Sequence, residues 1–233
     1  MSTHENRLVA ALPGVERAQL MALCESVHLP MGMVLGTVGA PTRHAYFPTQ
    51  SFVSLTVQVN PQHGLEVGLA GSEGMLGAQL SLGMARDSLH AVVQGPGHAW
   101  RIEAADLLRE LSRSTALQSH LLRYVSVLLG QHALLAACLR FHQIGPRLAR
   151  WLLMSQDRAH ADQFLVTQEF LATVLGVRRV GVTVAAGALQ RQGLIKYQRG
   201  DLQVVDRVGL EAAACSCYAA DQLTYASAMA SPA

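Results

Sequence analysis

Hydrophobic and polar positions give the chain two textures, which meet near Ile102. From Met31 onward the first half is rich in Gly and Val and in short alternating runs. Residues 52–59 alternate as a half-buried strand does. Asn60-Pro61-Gln62-His63-Gly64 then supplies turn chemistry, and residues 65–69 resume the alternation. Residues 88–93 and 98–102 predict further strands on either side of Gln94-Gly95-Pro96-Gly97. Many short strands at near-regular spacing predict a sandwich or a jelly-roll-like β-barrel.

Past Ile102 the periodicity becomes helical. Residues 103–108 open a helix, and an apolar-striped segment runs from about Thr115 to Phe141. Within it Leu121, Leu128 and Leu135 fall seven apart, with Leu117, Tyr124, Gln131 and Cys138 in the intermediate row. A seam of that kind buries itself against a second copy of the same helix. Leu117, Leu121, Tyr124, Leu128 and Leu135 are therefore the candidate dimer contacts. A second row of Val125, Leu129, Ala136 and Leu139 leaves room for one face on the chain's own β-domain and one on a partner. Gly145-Pro146 interrupts the pattern, because proline cannot continue a helix interior, and marks a hinge. A new helix starts at Arg147.

Residues 167–194 carry the most specific pattern. Thr167, with 170–175, reads as a short helix capped by the threonine, and Glu169 suits its first turn. Gly176-Val177 ends it, and residues 178–190 form a second helix. Leu171, Leu175, Val177, Val182 and Ala185 can share one small core, Ala172 allows close crossing, and Gly176 permits the left-handed turn. This is the pattern of a helix-turn-helix, with an αα-hairpin of no nucleic-acid role as the alternative. In a helix-turn-helix Arg178 and Arg179, opening the second helix, reach base edges or phosphates, with Thr183 one turn on. Thr167 and Gln168 offer donors to a phosphate. Residues 193–205 predict a hairpin turning at Arg199-Gly200-Asp201. It forms a wing, with Lys196 and Arg199 as backbone contacts, although lysine on a strand also protects a sheet edge.

Charge adds to this picture. Between Gln143 and Gly200 eight basic residues (Arg147, Arg150, Arg158, Arg178, Arg179, Arg191, Lys196, Arg199) face three acidic ones (Asp157, Asp162, Glu169). That local +5 leaves −3 for the remainder of a chain whose net charge is +2. A basic block on a slightly acidic protein is the footprint of a polyanion binder, or else a solvated basic face. The 233 residues, half of them hydrophobic and 15% charged, are enough for two modest domains. No apolar run reaches the length of about 18–20 residues of a membrane span, and the start lacks a secretory pattern. A cytoplasmic protein with no membrane partner is the expectation.

The order β-domain, long helix, short helix, helix-turn-helix and wing resembles the Crp/Fnr family of bacterial transcription regulators over nearly the whole chain. The match is densest from Leu165-Val166-Thr167-Gln168-Glu169-Phe170-Leu171-Ala172, through Gly176-Val177-Arg178-Arg179, to Leu189-Gln190-Arg191-Gln192-Gly193-Leu194-Ile195. The resemblance implies an α+β chain with an N-terminal sensor β-domain over 1–114 and a dimerisation helix over 115–142. A C-terminal winged helix-turn-helix over 143–220 and a tail over 221–233 follow. It implies a homodimer on double-stranded DNA of two-fold symmetry, with RNA polymerase as a further partner. Arg179 matches the family's base-reading arginine, whereas Val180 stands where many members carry a base-reading glutamate and Val184 where some carry arginine. Gly181 costs helix stability.

In the sensor half, Glu73-Gly74-Met75-Leu76-Gly77-Ala78 aligns with the family's ribose-binding region, but Ala78 replaces its glutamate. Asp87 in Arg86-Asp87-Ser88 would oppose a cyclic phosphate. The cysteine cluster of iron–sulfur members is absent, Cys24 standing alone. No cyclic nucleotide or other cofactor is therefore expected.

Cys138 and His142, spaced i, i+4 with His132 nearby, could pair on a metal, but a buried thiol and a surface histidine explain them as well, and no metal site is expected. Cys215-Ser216-Cys217 is too short a spacing for an unstrained disulfide. Gly71-Ser72-Glu73-Gly74 reads as a turn, and no enzymatic motif is found. A different class remains open beside the DNA-binding regulator. It is a dimeric effector-binding protein whose helix-turn-helix makes only protein contacts.

Overall fold

The structure, a computed structural model, describes residues 5–60 and 63–230. Its contacts divide the chain into two units. One comprises the residues up to Leu55, Gly68–Leu129 and those from Tyr225; the other comprises Thr56–Val67 and Gly130–Thr224.

The first unit opens with two short helices, α1 (Arg7–Ala10) and α2 (Gly14–Ala22). Seven strands follow: β1 (Glu25–Leu29), β2 (Val34–Gly36), β3 (His44–Pro48), β4 (Phe52–Asn60), β5 (His63–Ala70), β6 (His90–Gly95) and β7 (Gly97–Glu103). They form two sheets, ordered β1-β7-β3 and β2-β6-β4-β5, rather than one closed barrel. The turn expected between β4 and β5 includes residues 61–62, which lie outside the described residues.

Side-chain alternation explains why the β1-β7-β3 sheet is covered on both faces. Tyr46 and Ala99 cluster with Leu29 and Val93, between the sheets. Their chain neighbours Ala45, Phe47, Trp100 and Ile102 cluster instead with helical residues. Those helices include α1, α2, α3 (Ala104–Arg113) and the first part of α4 (Thr115–Phe141).

Part of the expected dimer seam is taken up within the chain's own first unit. Leu117, Leu121 and Tyr124 are no more than 2% exposed and belong to the first unit's own core, against which Leu128 also packs. Their side chains have no surface left for a partner. Leu135 is half-buried, and the large apolar side chains that α4 leaves open are Leu122, Leu129 and, at its end, Phe141, 38%, 67% and 75% exposed. A heptad shows that one face of a helix is apolar, but not which neighbour covers it.

By length and composition α4 is long and apolar enough to cross a membrane, its most apolar 18-residue window having mean hydropathy 1.4. Of that window 22% is buried, including Tyr124 and Val127.

In the second unit α4 gives way to α5 (Ile144–Ala159) across His142-Gln143. Pro146 sits in α5's first turn, where a missing N–H removes no helical hydrogen bond. The break thus lies just before the proline. Next come β8 (Gln163–Leu165), α6 (Gln168–Leu175), α7 (Arg179–Arg191), β9 (Ile195–Gln198) and β10 (Asp201–Val204). Two further helices close the unit, α8 (Arg207–Ala213) and α9 (Cys217–Met229). The wing is a three-stranded antiparallel sheet ordered β8-β10-β9, because 163–165 adds a strand that the sequence pattern does not reveal. Nor is 221–229 a loose tail: it is helical, and Asp221 forms a buried ion pair with Arg150 of α5. The tip 56–67 belongs to this unit, where Glu66 Oε1 accepts the Trp151 indole N–H at 2.7 Å.

Candidate nucleic-acid interface

The helix-turn-helix is assembled by local chemistry. Thr167 caps α6, its hydroxyl oxygen accepting the Phe170 N–H at 3.1 Å. Gly176 ends α6 in the left-handed region, φ 61°, which a Cβ would disfavour. The chain turns, and α7 leaves at 106° to α6.

Leu171, Val174, Leu175, Val182, Ala185, Ala186 and Leu189 fill the angle between the two helices, all at most 7% exposed. Leu148 and Leu152 of α5, fully buried, close the same core from behind. Arg147 of α5 donates to the Leu175 carbonyl, one of the acceptors left open at α6's end. Gly181 has a reason as well, since a Cβ there would come within 2.9 Å of Ile144 Cδ1. Close packing of α7 on α5 offsets its helix-propensity cost.

Packing the inner face of α7 leaves Arg178, Arg179, Val180, Thr183 and Val184 exposed on the outer one. Arg178 is the N-cap residue and Arg179 begins the helix. The Thr183 hydroxyl donates to Gln168 Oε1 at 2.9 Å, tying α7 to α6 and leaving the Gln168 NH2 as the donor for a partner.

On the wing, Arg199 and Gly200 are the two central residues of the β9–β10 turn, with φ of 52° and 86°. Positive φ at both positions is the type I′ geometry whose twist matches the strands. Glycine adopts it freely. Arginine does so at a cost of about 1–2 kcal/mol, and its side chain is thrown outward.

Thr167, Gln168, Arg179, Tyr197, Arg199 and Gly200 line one depression of about 370 Å³. Thus, of the residues singled out in the sequence, Thr167, Gln168, Arg179 and Arg199 come together, and Thr183 reaches the group through Gln168. Lys196 is exposed but points from the opposite face of β9 to Tyr197, outside that depression.

Tyr197 is the residue that sequence reasoning missed. Its hydroxyl donates to the Val166 carbonyl at 2.8 Å. Burial raises its pKa, and the Arg179 charge opposes that rise. Strand alternation after Ile195 is the signal that could have found it.

The basic block also needs correction. Arg147, Arg150 and Arg158 are buried, at 9%, 7% and 8% exposure, and serve the interior of the unit. The exposed cations of the block, Arg178, Arg179, Arg191, Lys196 and Arg199, all belong to α7 or the wing.

In the first unit Ala78 is buried at the start of a 3₁₀ turn, Ala78–Leu82. Asp87 accepts hydrogen bonds from Thr42 (2.5 Å) and Gln79 (3.0 Å). The two cysteine-containing pairs, read separately in the sequence, lie together in the second unit. The ligand atoms of Cys138, His142, Cys215 and Cys217 all fall within 4.8 Å of one another, and His132 is not among them.

Comparison with known proteins agrees with this architecture. The family model of the Crp-like helix-turn-helix domain matches residues 146–213. No curated protein matches the chain by sequence. A solved structure described as a Crp/Fnr-family transcriptional regulator of Eubacterium rectale aligns with TM-score 0.68 and 15% identity, over 88% of this chain and 96% of its own. The c-di-GMP responsive global regulator CLP of Xanthomonas campestris aligns at 0.66 and 17%, over 82% and 99%. A Crp/Fnr-family regulator of Thermus thermophilus aligns at 0.59 and 23%, over 82% and 98%. Residues 146–213 are thus similar to the Crp-like helix-turn-helix domain, and the chain shares its fold with solved structures of Crp/Fnr-family regulators.

Proposed function

We propose that the chain is a dimeric, sequence-specific DNA-binding regulator that sets α7 in the major groove of a two-fold operator. The observation that carries this reading is the convergence of Thr167, Gln168, Arg179 and Arg199 on one depression, with the block's exposed cations on α7 and the wing. Thr167 and Gln168 hold a phosphate, Arg179 reads a guanine edge, and Arg199 contacts the backbone beside it. Arg178 and Thr183 flank the reader on the same exposed face.

The dimer forms through the open face of α4. Leu122, Leu129 and Ala136 recur at seven-residue spacing there, with His132 and Leu139 between and beyond them. Resemblance to the family supports RNA polymerase as a further partner and the cytoplasm as the place of action. The sensor domain takes no cyclic AMP in this reading, because Ala78 offers no acceptor to a ribose and Asp87 sets a carboxylate where a phosphate would lie.

Val180 and Val184, 73% and 64% exposed, favour a second reading in which α7 meets only protein. In the first they meet thymine methyl groups. Selection of bound fragments from a random duplex library tests the proposal. Enrichment of a palindromic sequence supports it. Failure to retain duplex DNA at low salt overturns it in favour of the second reading.

A further inference from the structure

We infer that Cys138, His142, Cys215 and Cys217 form a tetrahedral Zn²⁺ site inside the helix-turn-helix unit. The sequence holds them apart in three places: the end of α4, the residue just after it, and the junction of α8 with α9. Folding brings them together. Cys138 and His142 lie one helical turn apart, so both side chains project from one side of the chain. Cys215 is fixed by its backbone N–H, which donates to the Pro146 carbonyl at the start of α5. Cys217 begins α9, placing its thiol beside the imidazole.

The spacing is that of zinc ligands. Zinc bonds of about 2.3 Å to sulfur and about 2.0–2.1 Å to nitrogen, at tetrahedral angles, separate two sulfurs by about 3.8 Å and sulfur from nitrogen by about 3.6 Å. Here Cys138 Sγ and Cys215 Sγ are 3.6 Å apart, and Cys217 Sγ lies 3.5 Å from His142 Nδ1. The sulfurs are closed off from solvent, the three cysteines being 1%, 7% and 3% exposed. With four protein ligands and no open position, this is a structural rather than a catalytic arrangement.

Charge supports the assignment. Binding releases the three thiol protons to solvent and leaves a centre with one net negative charge, from three thiolates, one neutral imidazole and Zn²⁺. Arg147 is nine-tenths buried in the same unit and, among the described residues, no carboxylate pairs with it. Burial lowers the Arg147 pKa, and thiolate charge at Cys138 and Cys215 would oppose that fall. A zinc–trithiolate centre supplies the counter-charge that a buried guanidinium requires. Arg147 in turn holds the end of α6, so the site and the helix-turn-helix share a residue.

The full-length protein, purified without chelator, should carry one zinc per chain by elemental analysis. Anaerobic Co²⁺ titration of the stripped protein should give the intense visible bands of a tetrahedral ion, together with thiolate-to-cobalt charge transfer. Cys217→Ser and His142→Ala should each weaken Zn²⁺ binding by about 100-fold or more. Cys24→Ser, in the other unit, should leave it unchanged. Zinc added to the stripped protein should raise its Tm.

Four results would each overturn the assignment. They are a pale octahedral cobalt spectrum, stoichiometric zinc retained by the Cys215→Ser/Cys217→Ser double variant, iron with acid-labile sulfide in place of zinc, and a Cys138–Cys215 disulfide in protein purified anaerobically. The cobalt spectrum is read on the unaltered chain, so the test survives a variant that fails to fold.

Discussion

Leu129→Ala separates the two possible seams of α4. Leu129 is 67% exposed, so roughly two-thirds of its side chain is free to be covered by a partner. The change removes three carbons, worth about 0.8 kcal/mol each when fully buried, or about 1.6 kcal/mol at that fraction. A two-fold dimer contains the contact twice, for about 3 kcal/mol in all, which weakens dimerisation by roughly 200-fold. The isolated chain should lose little stability, because the side chain covers little of its own core.

Leu121→Ala is the counterpart. Leu121 is 1% exposed in the first unit's core, and the substitution should cost about 2–5 kcal/mol of folding stability. Sedimentation equilibrium across a concentration series gives the dimer constant, and urea denaturation gives the stability. If Leu129→Ala leaves the dimer constant unchanged, the open face of α4 is not the interface.

Arg179→Ala should cost about 1–3 kcal/mol per half-site and flatten preference at one base position. Competition against a randomised operator library reads both effects, and a loss of affinity with the preferred sequence unchanged would mean that Arg179 holds a phosphate. Arg199→Gly should lower the slope of log affinity against log salt by about one while stability holds or rises by up to about 1 kcal/mol, since glycine accepts the turn's positive φ without strain; a clear loss of stability in urea would refute the strain argument. His120, 2% exposed, lies with Nε2 2.8 Å from the Leu8 carbonyl, and Arg123 donates to its Nδ1. Burial holds its pKa below 6.5, the Leu8 carbonyl opposes that shift and the Arg123 charge adds to it. The folded chain therefore takes up this proton less readily than the unfolded one. Stability is complete above 6.5 and falls as pH drops through that value toward the folded pKa. His120→Gln should flatten the decline, and urea midpoints on either side of 6.5 that fall equally steeply in both proteins would exclude His120 as its source.

The sequence by itself determined the helix-turn-helix, because that motif is written in contacts between near neighbours. Thr167 caps a helix three residues away, Gly176 makes its own turn, and Leu171, Leu175, Val182 and Ala185 close one small core. The strands from Phe52 to Ile102 were legible for the same reason, through an alternation that one covered face imposes. Even Arg199-Gly200 was readable as a turn, with only its type left to the backbone.

What tertiary structure decided are the matters that depend on which distant surface arrives. The heptad of α4 was correctly apolar, yet the β3–β7 side of the first unit claimed Leu117, Leu121 and Tyr124 and left Leu129 open. Arg147, Arg150 and Arg158 counted as surface charge in the sequence, whereas folding sets them against a carbonyl, Asp221 and the unit's interior. Cys138 and Cys215 stand 77 positions apart, so no spacing rule could pair them. They meet because α9 folds back beside the start of α5, held there by the buried attraction between Arg150 and Asp221. Local hydrogen bonds and periodicity are properties of a stretch of chain. The partner of an apolar face, a buried charge or a thiol belongs to the whole fold, and only packing could name it.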